Sequence, residues 1–262
     1  MAVDTTIPRP PARALSHADE AAELMAEGRE TADEMELTLE RLRANVEVDA
    51  SLDRLRRDTA RLRLLYAGTS ERATDLLLQR LAGYLDLLGP PESHHLHDLG
   101  VFVDTLQIIL AGRVALPADE AEFARSLPVM RPADVDDLGQ LSVEVLLVDP
   151  QRTSARFVAR ELQACGFRVA TAQRSYEALE LAARTRPDLV VAAAVIDEID
   201  GPELAAMLRL AKVTAAIPFA LLTSYELGHP ALLRLPPGSG VIRRGADFAD
   251  DVARELSRLG VT

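Results

Sequence analysis

Cysteine occurs once in the 262 residues, at Cys165, which excludes an internal disulfide. Histidine occurs five times, so with one cysteine there is little material for a structural zinc site. No uninterrupted apolar run reaches the roughly 18 residues that a membrane helix requires. The first twenty residues also lack the basic-then-apolar segment of a secretory signal. A cytoplasmic protein without membrane insertion is expected. Lysine is nearly missing as well: Lys212 stands alone and every other basic residue is arginine, a bias from which no function is read. Basic charge is in deficit overall, with 29 Lys+Arg against 41 Asp+Glu and a formal net charge of -12. That balance gives no electrostatic reason to approach nucleic acid or an anionic membrane.

What is present is a normal apolar fraction, 48 %, in a chain long enough for two domains. The charge divides unevenly between them. Residues 1–140 hold 26 acids and 15 bases, whereas residues 141–262 hold 15 acids and 14 bases, so two modules with different surfaces are implied.

Residues 1–15 contain Pro8, Pro10 and Pro11 and no periodic pattern, and are read as a disordered leader. From Ser16 the pattern is helical. Met35, Leu39, Leu42 and Val46 follow 4-3-4 spacing and Leu52, Leu55, Leu62 and Leu65 continue it, which predicts two amphipathic helices or one long broken one, pairing within the chain or between chains. Gly68-Thr69-Ser70-Glu71 ends one helix and caps the next. Further helices are expected over Glu71–Leu88, about Glu92–Gly112 and Glu120–Ser126, separated first by Gly89-Pro90-Pro91. Residues 16–126 are thus read as a helical bundle, and 127–142, rich in proline and aspartate, as a linker.

From 143 onward strands alternate with helices. Strands are expected at Val143–Val148, Arg168–Ala172, Leu189–Ile196, Phe219–Thr223 and Gly240–Arg243. Helices are expected at Arg152–Cys165, Ser175–Arg184, Pro202–Val213, a short Ala231–Leu235 and Phe248–Leu259. Strands bare of polar residues belong inside parallel sheets covered on both faces. The expected fold is therefore α + α/β: a helical bundle followed by a doubly wound, five-stranded parallel (βα)5 domain over 143–262.

Such a sheet places its site at the carboxyl ends of its strands. Those ends carry Asp149-Pro150, the run Asp197–Gly201, Thr223-Ser224 and Arg243-Arg244. Order and spacing together resemble the receiver domain of two-component response regulators. In that family the phosphoacceptor aspartate precedes an Asp-Gly pair by seven residues, and Asp200-Gly201 puts that position at Ala193. The family's Thr or Ser, about thirty residues further on, corresponds to Thr223. Its lysine corresponds to Arg244, its following proline to Gly245, and an aromatic usually stands where Val241 is.

The resemblance implies a pocket that has lost its chemistry. Ala193 offers no nucleophile, and Pro150 replaces an acid that would help hold Mg²⁺, leaving Asp149 as the one carboxylate of three. No cofactor, metal or catalytic residue is expected, and Arg244 is placed to pair with Asp149. Asp197 or Glu198 would be the substitute acceptor. Because receivers signal through their fourth helix, fifth strand and fifth helix, the contact face is expected around Ala231–Leu235, Val241 and Phe248–Leu259.

In the helical half, Gln79-Arg-Leu-Ala82-Gly83 resembles the phosphorylation motif of histidine-phosphotransfer domains with Gln79 at the histidine. That similarity implies a second lost phosphorylation position. His94, His95 and His97 form the only histidine cluster, at a helix start where solvated side chains are the rule; His17 and His229 stand singly. The combined reading is a non-enzymatic pseudo-receiver adaptor of a bacterial two-component or chemosensory-like pathway. Its partners would be signalling proteins, namely a sensor kinase, chemosensory or polarity proteins, with a homodimer also open. Two alternatives remain: a phosphorelay protein phosphorylated at His94, His95, His97 or Asp197, and a small-molecule-binding enzyme on a flavodoxin-like sheet. The segment after Asp149 lacks a glycine-rich phosphate loop, and no Ser-His-Asp set is apparent.

Overall fold

The computed structural model describes residues 17–69, 71–112, 119–130, 143–226, 228–245 and 248–261. The leader assigned to 1–15 lies outside them.

Helices α1 (His17–Arg43), α2 (Val48–Tyr66), α3 (Arg72–Leu87) and α4 (Ser93–Leu110) form a closed bundle, in which α1 packs on α2 and α4, and α3 completes the ring. The apolar stripe of α1 and α2 is satisfied within the chain. Met35, Leu39, Leu42, Leu52, Leu55 and Leu62 are buried, while Val46, in the turn between the helices, is exposed. That turn is sharp because Asn45 and Glu47 both adopt left-handed backbone. Thr69 Oγ1 accepts from the Glu71 amide, 3.3 Å, ahead of α3. Helix α5 (Glu120–Ser126) is N-capped by Asp119, whose carboxylate accepts from the Ala121 amide at 3.0 Å. Leu127, Val129 and Met130, the start of the segment read as linker, are buried against the fold rather than free. Residues 131–142 are not among those described.

Strands β1 (Glu144–Val148), β2 (Arg168–Ala172), β3 (Leu189–Ala193), β4 (Phe219–Thr223) and β5 (Gly240–Arg243) form one parallel sheet in the order β2-β1-β3-β4-β5. Helices α7 (Ser175–Thr185) and α8 (Gly201–Leu210) cover one face, and α6 (Arg152–Ala164) and α9 (Phe248–Leu259) the other. Three expectations are corrected. The third strand stops at Ala193 instead of Ile196, because the chain must turn there to bring Gly201 back under it. Helix α8 ends at Leu210, not Val213. The expected fourth helix is a 3-10 turn, Pro230–Arg234, cut short by Pro236-Pro237, which supply no amide for a longer ladder.

The two halves share a core, since the buried residues of the α7/α8 face join those of the bundle in one cluster. Helix α3 lies along the edge strand β2 and against α6, and α5 packs on α7. Contact is close at Gly83, where an added Cβ would stand 2.9 Å from Thr171 Oγ1. Polar ties surround it. Arg80 of α3 pairs with Glu144 of β1, both side chains buried. Arg184 of α7 reaches Asp75 at 2.6 Å, Glu120 at 2.7 Å and Glu180 at 2.9 Å, and donates to the Arg72 carbonyl at 2.7 Å. Glu177 accepts from Arg63 and Gln79, each at 3.2 Å. Gln173 donates to Asp86 at 2.8 Å, and Arg168 to the carbonyls of Arg125 and Leu127.

Burial opposes the Arg184 charge, and the hydrogen bonds it donates to Asp75 and Glu120 overcome that, holding the guanidinium charged above its ordinary range. Arg184→Ala should lower the free energy of urea unfolding by about 2–3 kcal/mol, less than for a fully buried pair because Asp75 and Glu120 keep some water contact. A second test reads the acid limb. Asp251 accepts from the Arg243 amide at 3.1 Å and its Nε at 3.0 Å, and the Arg243 hydrogen bonds hold its carboxyl down to about 2 against the cost of burial. A depressed acid stabilises fully above its ordinary 3.8 and loses that contribution as pH falls toward 2. Asp251→Asn should flatten the loss of thermal stability across that window.

Candidate functional site

The carboxyl ends of β1, β3, β4 and β5 meet around a cleft of about 290 Å³, lined among others by Asp149, Pro150, Ala193, Thr223, Tyr225 and Arg244. The five positions assigned to the degenerate pocket are therefore brought together. Each is set by the strand it follows. The Asp149 amide prolongs the ladder onto the Ala172 carbonyl at 3.1 Å, and the Arg244 amide onto the Thr223 carbonyl at 2.8 Å.

Asp149 is 2 % exposed, and both of its carboxylate oxygens accept hydrogen bonds. Oδ1 accepts from the Gln151 amide at 2.9 Å, an Asx turn that opens α6. Oδ2 accepts from Ser154 Oγ at 2.6 Å and from Arg244 Nη2 at 2.9 Å. Arg244 also donates to Ser154 Oγ, so the three side chains close a ring. Opposite them Ala193 presents a methyl group. Thr223 Oγ1 accepts from the Tyr225 amide at 2.9 Å, and the Tyr225 ring stacks on His229 with centroids 3.9 Å apart.

Ala194 and Val195 line the cleft, and beyond them the loop after β3 is held by its own contacts. Gly201 sits where a Cβ would meet the Ala193 carbonyl oxygen at 2.4 Å and Leu221 Cδ1 at 2.6 Å, so only glycine allows this approach. Asp200 caps α8 through the Glu203 amide at 2.9 Å and pairs with Arg234 at 2.6 Å. Glu198 is engaged by Arg174, and Ser175 Oγ donates to the Ile199 carbonyl at 2.6 Å. Asp197 is exposed and does not line the cleft.

These donors do not fit a divalent cation. Mg²⁺ demands several oxygen ligands in near-octahedral geometry. The cleft offers one carboxylate, already engaged by an amide, a hydroxyl and a guanidinium whose own charge repels a cation. Among the described residues no group of three or more His, Cys, Asp or Glu is arranged to hold a metal ion.

In the helical half the expected positions separate. Gln79 is 8 % exposed and donates to Glu177 of α7, so it faces the sheet module at the β2 side, away from the cleft at Ala193. Of the histidine cluster, expected to be solvated, His97 is exposed and His95 is buried, where its Nδ1 accepts from the Glu92 amide at 3.0 Å in a capping box. Burial, then the neighbouring His94, pushes the His95 pKa down, which keeps the imidazole neutral and able to accept that bond. Sequence reasoning missed Ser154 and the Tyr225–His229 stack. A serine five residues after the strand-end aspartate, on the first turn of the next helix, was the available signal for the former.

Arg244→Ala would leave Asp149 buried without a countercharge. The urea midpoint should fall by the equivalent of about 1–3 kcal/mol, whereas Asp149→Asn combined with Arg244→Ala should recover part of the loss, because no buried charge is then left alone.

Residues 145–229 match the family model of the response regulator receiver domain. Among curated proteins, the response regulator MprA of Mycobacterium sp. (strain KMS) is 38 % identical over 69 residues, which are 26 % of this chain and 30 % of that protein. The chain thus spans under a third of the length of the curated relatives it matches. Among solved structures, the receiver domain of sensor histidine kinase PA1611 from Pseudomonas aeruginosa PAO1, with magnesium in its active-site cleft, is 20 % identical and covers 47 % of this chain and 99 % of its own, TM-score 0.41. The chemotaxis protein CheY4 of Vibrio cholerae is 22 % identical over 45 % of this chain and 98 % of its own, TM-score 0.40. The family match thus covers residues 145–229, and the sheet order β2-β1-β3-β4-β5 is that of a doubly wound parallel fold.

Proposed function

We propose that the chain is a non-catalytic adaptor in a two-component or chemosensory-like pathway, acting by protein contacts through a receiver domain that does not take a phosphoryl group by the usual route. One observation carries this reading. Where the family places its nucleophile the cleft has the Ala193 methyl, and the remaining acid, Asp149, is neutralised within the chain by Arg244 and Ser154. A covalent phosphoryl intermediate needs a nucleophile and stabilisation of the charge that develops on the transferred group. Arg244 here spends its donors on an aspartate instead of an incoming phosphoryl oxygen.

The same logic extends to the helical module. Glutamine at position 79 has no nucleophilic nitrogen, and its amide is committed to Glu177. We take residues 16–126 and 143–262 as the two modules, working in the cytoplasm as a single scaffold because their cores are fused. The partners are signalling proteins such as a sensor kinase, a chemosensory protein or a polarity protein. The acidic helical half argues against nucleic acid as an output, and among the described residues no helix is long and apolar enough to cross a membrane.

The test is direct. Purified protein is incubated with acetyl phosphate and Mg²⁺ and its intact mass recorded; an unchanged mass is expected. A stoichiometric adduct of about 80 Da, the mass of one phosphoryl group, on either half would overturn the reading, and peptide mapping would tell Asp197 from a histidine.

A further inference from the structure

The contact face anticipated from the receiver family is poor in exposed apolar groups. The outward side chains of α9 are polar, with Phe248, Val252 and Leu256 turned inward, and on the 3-10 turn only Leu233 projects fully. Phe157, Tyr176 and Val195 are exposed on separate elements, whereas three exposed apolar residues follow one another at the end of α8 and just beyond it. Met207 is 37 % exposed, Leu210 86 % and Val213 50 %, and between them stand the exposed Arg209 and Lys212. Lys212 has no ion-pair partner among the described residues, and Arg209 donates only to the Ala215 carbonyl, at 3.2 Å. An apolar patch framed by two uncommitted cations asks for an apolar surface framed by uncommitted acids.

Such a surface exists on the same chain, on the far module. Along the outer side of α1 stand Glu30, Asp33 and Leu37, the last 66 % exposed, and beside them on α4 Asp104 and Ile108, the latter 38 % exposed. Gln107 of α4 donates to Asp33 at 3.2 Å, which ties the two stripes into one face. Among the described residues none of these three acids is in an ion pair, unlike the acids along the junction, which are claimed by Arg184, Arg186 and Arg63. Three acids of the helical half that no arginine claims thus share one face with two exposed apolar side chains.

We infer that the Met207–Leu210–Val213 patch with Arg209 and Lys212 docks on the Glu30–Asp33–Leu37 and Asp104–Ile108 face of a second copy of this chain. The two surfaces differ, so the contact is head-to-tail and the assembly keeps one free patch and one free face. Apolar burial supplies the attraction, and the opposite charges set the register and speed the encounter. This inference concerns self-assembly and stands whether or not the cleft takes phosphate.

Two variants test it on the full chain by sedimentation velocity and light scattering over a concentration series. Wild type should self-associate with rising concentration beyond a dimer, and less so at high salt. Leu210→Asp removes the patch and Leu37→Asp the face; both sites are exposed, and unchanged urea midpoints will confirm folding. Each variant alone should associate roughly tenfold more weakly or not at all. Mixed in equal amounts they should form a dimer and stop there, because one intact patch still meets one intact face. A wild type that stays monomeric throughout overturns the inference. So does association that survives either substitution, or a mixture that remains monomeric.

Discussion

The buried ion pair of Arg80 and Glu144 is the interaction on which the arrangement of the two halves depends. Burying both charges is costly, and the cost is offset only while each remains against the other. If α3 left the sheet, a carboxylate at the first position of β1 and a guanidinium in the bundle would both face water or an empty core. The pair therefore fixes register as well as contact. It sets Gly83 against Thr171, lays α3 along the β2 edge, and brings α5 onto α7, where Arg184 collects Asp75 and Glu120. An edge strand that would otherwise offer unpaired backbone groups is covered by the chain's own helix.

That junction also accounts for part of the charge asymmetry between the halves. The acidic helical half receives guanidinium groups from the nearly neutral α/β half: Arg184 on Asp75 and Glu120, Arg186 on Asp119, Arg152 on Asp86. A planar, always-charged fork suits such bridging between helices better than a lysine ammonium would. The cleft at the strand ends applies the same device internally, with Arg244 standing against Asp149. In both places arginine fixes a carboxylate that would otherwise bind a cation or water.

Much of the fold was legible because its signals are local. Strands such as Val145–Val148 and Leu189–Ala193, bare of polar residues, announced a parallel sheet, and β2, β4, β5 and α9 occur where their hydrophobic patterns placed them. Boundaries that depend on the tertiary turn were less legible. Apolar Val195 and Ile196 read as strand, but the chain leaves the sheet after Ala193 so that Gly201 can pass under its carbonyl. The short stretch before Pro236 read as helix because its apolar content is helical, while the prolines permit only a 3-10 turn. His95 read as solvated because nothing in its neighbours shows that Glu92 needs an acceptor for its amide.

For the site, strand ends in a parallel sheet converge whatever the side chains are, and the resemblance to the receiver pattern picked out Asp149, Pro150, Ala193, Thr223 and Arg244 among them. The sequence puts an alanine and a proline at two of those positions and leaves Asp149 as the carboxylate. Tertiary structure decided how that carboxylate is held: Ser154 and Arg244 close on Asp149 from α6 and from the end of β5, a convergence of positions ninety residues apart that no local pattern encodes. It likewise decided that Gln79 faces Glu177 rather than the cleft, since which face of α3 meets the sheet follows from burying Arg80 on Glu144. Local sequence specifies elements and their polarity; long-range pairing of buried charges specifies which surfaces are used up and which remain free.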